Sequence, residues 1–74
     1  MADKELIQKR VAEMSRSLLT EGYHVVFKVT LPGSIFHKLR HRKNGHDITI
    51  IGTYSLSRIR LYRDGRLRHT ETVK

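Results

Sequence analysis

The sequence predicts an α+β fold: one N-terminal amphipathic helix packed on a meander of four to five antiparallel strands. Three observations carry that expectation. Apolar residues first recur at helical spacing, then alternate with period two from Tyr23 onward. Asn44-Gly45 and Asp64-Gly65 stand between alternating stretches, where such pairs mark hairpin turns. At 74 residues with no cysteine, the chain is a single small domain, stabilised by its core without disulfide or thiolate-metal staples.

The helix is expected over residues 3–21. Ile7, Val11, Met14 and Leu18 follow one another at steps of four and three, and Leu6 and Leu19 widen the stripe. Asp3 can cap the N-terminus, Glu5 lies in the first turn where the helix dipole favours an anion, and Gly22 offers a left-handed stop. The stripe is assigned to the core, because packing on the protein's own sheet is the commonest use of such a face. A membrane surface or a dimer interface are its other uses.

Strands are expected near residues 23–31, 35–42, 47–54, 57–62 and 66–72. In the first, Tyr23, Val25, Phe27, Val29 and Leu31 fall on one side and His24, Val26, Lys28 and Thr30 on the other. Residues 34–43 also fit a short helix capped by Ser34 with Ile35, Phe36 and Leu39 inward, but pairing arithmetic favours a strand. A two-residue Asn44-Gly45 turn pairs Lys43 with His46 and so sets His41 opposite Ile48, Leu39 opposite Ile50 and Ile35 opposite Tyr54. That gives one apolar face, with Phe36, Lys38, Arg40 and Arg42 on the other beside Asp47, Thr49, Ile51 and Thr53. For the second hairpin, a three-residue loop Arg63-Asp64-Gly65 pairs Tyr62 with Arg66 and Leu61 with Leu67. It opposes Arg60 to Arg68 and Arg58 to Thr70.

Function is read mainly from charge. Fifteen Lys and Arg against seven Asp and Glu give a formal net charge of +8, and residues 32–74 hold most of the excess, the majority as Arg. Guanidinium forks suit phosphate, so the charge points to a polyanionic partner. The expected binding surface is the sheet face away from the helix, with Lys28, Lys38, Arg40, Arg42, Arg58, Arg60, Arg66 and Arg68 interleaved with Phe36 and Tyr62. A positive face carrying aromatic rings fits nucleic acid, RNA or DNA. A basic face docking an acidic protein is a further reading, and alternating Arg also keeps an exposed strand from edge pairing.

The chain shows no RNP signature, zinc finger, glycine-rich phosphate loop or Ser-His-Asp order, so neither cofactor nor metal is expected. Of the five histidines, His37 and His41 lie four apart without a third ligand in zinc-like spacing. Their alternative use is general acid-base chemistry in a small metal-independent ribonuclease, since RNA cleavage by its own 2′-hydroxyl needs no cofactor. The order of helix, strand, Gly33-Ser34 and a hairpin ending in Ile48-Thr49 is similar, over a short stretch, to the HicA-type toxin ribonucleases. Their catalytic histidine directly follows Gly-Ser; here Ile35 occupies that position and His37 comes two residues on, so the chain is not assigned to that family. Without a secretory leader or a bilayer-length apolar run, the chain reads as cytoplasmic with no membrane partner, and a homodimer is one route to additional buried surface.

Overall fold

The computed structural model describes the backbone of residues 2–73 and the side chains of residues 4–73. Helix α1 (Ala2–Thr20) precedes strands β1 (Tyr23–Thr30), β2 (Ser34–His41), β3 (Asp47–Thr53), β4 (Arg58–Arg63) and β5 (Arg66–Thr72). The strands form one antiparallel sheet in the order β1-β2-β3-β4-β5. The expected helix-on-meander fold is therefore found, with residues 34–41 as a strand rather than a short helix. Among the described residues no helix is long and apolar enough to cross a membrane.

Helix α1 lies on the face of β2, β3 and β4 that presents Ile35, Leu39, Ile48, Ile50 and Ile59, all buried together with Ile7 and Val11. Met14 and Leu18 are half-buried against this cluster. Leu6 and Leu19 do not widen the stripe: they remain 37% and 46% exposed, and Ser15 takes the buried position one turn after Val11 instead. The cap expected from Asp3 concerns a side chain outside the described residues. At the other end Gly22 adopts φ +98°, and the N–H of Glu21 donates to the Leu18 carbonyl at 3.0 Å as the helix closes.

Gly52 sets how closely helix and sheet approach. A Cβ there would lie 2.5 Å from Ile7 Cγ2 and 2.8 Å from Ile35 Cγ2, inside van der Waals contact. Hydrogen in place of a methyl group thus lets the helix sit directly on β2 and β3.

The strand registers depart from expectation in three places. In the β2–β3 hairpin, Leu39 faces Ile48, His37 faces Ile50 and Ile35 faces Gly52, so the expected Leu39–Ile50, His41–Ile48 and Ile35–Tyr54 pairs are each displaced by two residues. Asn44-Gly45 does not close a two-residue turn. The N–H of His41 donates to the His46 carbonyl at 2.9 Å, and the N–H of Gly45 donates to the His41 carbonyl at 3.1 Å. Side chains satisfy this wider loop: His41 Nδ1 accepts from the amides of Lys43 (3.2 Å) and Asn44 (3.3 Å), and Asn44 Oδ1 accepts from the amide of His46 (2.9 Å).

In the β4–β5 hairpin the turn is tighter than expected. Asp64 and Gly65 have φ of 51° and 82°, the left-handed pair of a type I′ turn, and Arg63 faces Arg66 across it. The irregularity lies farther in: Tyr62 faces Leu67 and Leu61 faces His69, leaving Arg68 as the extra residue of a bulge. Arg60 consequently faces Thr70 and Arg58 faces Thr72, so the expected Arg60–Arg68 and Arg58–Thr70 oppositions do not occur. The bulge reconciles a two-residue turn with Leu61 staying on the core side.

The third departure matters most for function. A bulge at Val26 interrupts β1, after which Phe27 faces Lys38, Lys28 faces His37, Val29 faces Phe36 and Thr30 faces Ile35. Because directly opposed residues share a face, Phe27 and Val29 move from the expected core side to the outer side, and Lys28 moves the other way. Phe27 and Val29 remain 41% and 39% exposed there.

Candidate nucleic-acid interface

Alternation along the strands brings two rows of side chains together on the face turned away from α1. One row runs Val29, Phe36, Ile51, Arg60, Thr70 from β1 to β5; the next runs Phe27, Lys38, Thr49, Tyr62, Leu67. The rings of Phe27 and Phe36 are parallel within 3°, with centroids 5.7 Å apart. On β4, Arg60 donates a 3.4 Å hydrogen bond from its terminal nitrogen to the Tyr62 hydroxyl. Among the described residues, Lys38, Arg58 and Arg60 make no ion pair, and Lys38 feels the Asp47 carboxylate only through longer-range attraction, so an apolar, aromatic surface carries cations outside any salt bridge.

The expected site residues separate into two groups. Phe36, Lys38, Arg58, Arg60 and Tyr62 share the outer face. Arg40 lies there too, but its Nε donates to Asp47 Oδ1 at 2.7 Å. This hydrogen bond and the adjacent charge hold the Asp47 carboxyl below its ordinary range. Arg42 is in the loop after β2, Arg68 is at the β5 bulge, and Arg66 lies beside the turn opposite Arg63, on the helix side of the sheet. Sequence reasoning missed Phe27 and Val29, assigned to the core by uninterrupted alternation, and Leu67, expected opposite Leu61 but found opposite Tyr62, whereas Ile51 lies on the outer face as expected. The consecutive valines at 25 and 26 are the signal that alternation breaks in β1.

A polar cluster ties the two hairpin ends on one side of the sheet. Asp64 Oδ1 accepts from the Asp47 amide at 2.9 Å and Oδ2 pairs with His46 Nδ1 at 2.6 Å. The backbone donor, then the imidazole, hold the Asp64 carboxyl low. On β5, Glu71 accepts from Arg10 Nε at 2.7 Å and lies 2.8 Å from His69 Nε2, so this edge strand is tied to α1 by charge.

The two histidines weighed for acid-base chemistry hold structural positions. His37 is 6% exposed beneath α1, with Nδ1 2.7 Å from Ser15 Oγ; burial, then the charge of Lys28, lower its proton affinity. His41 donates from Nε2 to the Glu21 carbonyl at 3.1 Å while Nδ1 accepts loop amides, and its ring meets Tyr23 edge-on at 4.9 Å. The described residues contain no group of three or more His, Asp or Glu that could hold a metal ion.

Comparison with known proteins finds no matching family model, no matching curated protein and no matching solved structure.

Proposed function

We propose that the protein binds nucleic acid, RNA or DNA, through the sheet face turned away from α1. The observation that carries this reading is the placement of Lys38 and Arg60, neither in an ion pair, in a surface that also holds Phe27, Phe36, Ile51 and Tyr62. Phosphates answer the cations and base faces answer the rings, whereas an acidic protein surface would leave exposed aromatic area unmatched. The one carboxylate among the paired residues of this face, Asp47, is itself held by Arg40. The reading involves binding without chemistry, in keeping with the structural positions of His37 and His41.

Co-purification tests it. Protein isolated at low salt from cells is expected to carry nucleic acid, seen as excess absorbance at the base maximum and removed by high salt. Digestion with RNase or DNase identifies which kind. Protein free of nucleic acid at low salt, and unable to retard added RNA or DNA, contradicts the reading.

A further inference from the structure

Resting on the nucleic-acid reading, we infer that the ligand is an unpaired single strand, RNA or DNA, bound with splayed bases on Phe36 and Tyr62 and phosphates at Lys38 and Arg60. Strands β2 and β4 each contribute one ring and one cation two residues apart: Phe36 with Lys38, and Arg60 with Tyr62. The order is reversed between them. Across β3, Ile51 stands between Phe36 and Arg60, and Thr49 between Lys38 and Tyr62. The result is a crossed pair of ring-cation units around a small central strand.

The spacing of these units selects the form of the ligand. Two interstrand steps separate β2 from β4, roughly 10 Å, whereas stacked nucleotides advance about 3.4 Å along each strand of a duplex. Bases that reach both rings must therefore be unstacked from one another, which a single strand permits and a duplex does not. The whole sheet is also too wide for a groove: its five strands span about 20 Å, against a major groove of about 12 Å that admits a two-stranded ribbon. Phe27 supports this arrangement by lying parallel to Phe36 on one side, and the Arg60 hydrogen bond orients the Tyr62 ring.

Self-association through the same face is disfavoured by charge. Two copies stacked face to face would bury Lys38 and Arg60 of each without a carboxylate to meet them, apart from an Asp47 already engaged by Arg40.

The test uses the full chain with labelled oligouridylate, oligothymidylate, and blunt RNA and DNA duplexes of matched length. Both single strands should bind more tightly than either duplex at equal salt, and their comparison distinguishes RNA from DNA. Phe36→Leu and Tyr62→Leu should each weaken single-strand binding by about five- to a hundredfold without changing the salt slope, while Phe36→Tyr and Tyr62→Phe should bind as the parent does. Oligouridylate or oligothymidylate should also quench tyrosine fluorescence in the parent, and Tyr62→Phe, which keeps the ring's packing, should abolish that quenching. Equal duplex binding, parent-like affinity in folded Leu variants, or absence of the quench overturns the single-strand inference while leaving nucleic-acid binding intact. Failure to bind any of the four probes at low salt overturns the nucleic-acid reading itself. A dimer in sedimentation that Phe36→Leu converts to monomer also overturns the inference, assigning the face to a second copy.

Discussion

Ser15 Oγ and His37 Nδ1 meet at 2.7 Å in the interior between α1 and β2. They are the two buried polar side chains among the described residues, 3% and 6% exposed, and each supplies the hydrogen bond the other needs. This pairing keeps His37 beneath the helix and away from the outer face, which separates its imidazole from the surface where a polyanion would lie.

Replacing Ser15 with Ala leaves a ring nitrogen of His37 unsatisfied in the core. The expected loss is about 1–3 kcal/mol, measured by urea denaturation. A parent-like midpoint with an unchanged slope would show that the hydrogen bond contributes nothing net.

The same imidazole gives stability a pH dependence of known sign. His37 has a lowered proton affinity in the folded chain, while the unfolded chain binds a proton near pH 6.5. Above that value both states are neutral there. As pH falls through about 6.5, the unfolded state takes up a proton that the folded state refuses, and stability is lost down to the lower folded value. Thermal melts across this range should show a steeper decline for the parent than for His37→Gln. Parallel curves contradict the assignment.

Gly52→Ala places a methyl group against Ile7 Cγ2 and Ile35 Cγ2 at separations no packed core tolerates. The expected cost is about 1–3 kcal/mol, and combining it with Ile7→Ala, which removes the opposing Cγ2, should cost less than the sum of the two single losses because the two sites touch. Strictly additive losses in denaturant melts would argue that helix and sheet separate rather than clash.

Glu71 holds the edge strand β5 to α1 through Arg10. The hydrogen bond from Arg10, then that from His69, hold its carboxyl low, so its contribution is complete above the unfolded value of about 4.3 and disappears as pH falls through the lower folded one. Arg10 is 43% exposed, so Glu71→Gln is expected to cost no more than about 1 kcal/mol at neutral pH. Hydrogen exchange should nevertheless quicken in β5 ahead of β2 and β3. Unchanged exchange in β5 would show that backbone pairing with β4 alone holds the edge.

The helix, the five strands and the core face of β2–β4 were legible in the sequence because each rests on hydrophobic period. Registers were not. A displacement of two residues leaves every side chain on its original face, so the apolar pattern is equally satisfied by Leu39 opposite Ile50 and by the observed Leu39 opposite Ile48. The His41 imidazole, which caps the wider loop, decides between them. Bulges at Val26 and Arg68 are similarly hidden, since each restores an apparently regular alternation with the opposite phase. For the candidate interface this meant that Phe36, Lys38, Arg60 and Tyr62 could be placed on one face from the sequence. Phe27 joins them only because β1 bulges.

Salt dependence tests the proposed interface most directly. Lys38→Gln with Arg60→Gln removes two cations from the sheet face, and Lys9→Gln with Arg16→Gln removes two exposed cations from α1. Each phosphate left without its cation should flatten the plot of log affinity against log salt by about 0.7 for a single strand. Loss of the sheet pair is therefore expected to reduce the slope by about 1.4, with the helix pair leaving it close to the parent value. Equal flattening by both pairs would mean that net charge alone drives association, and the outer sheet face would have no claim to be the binding surface.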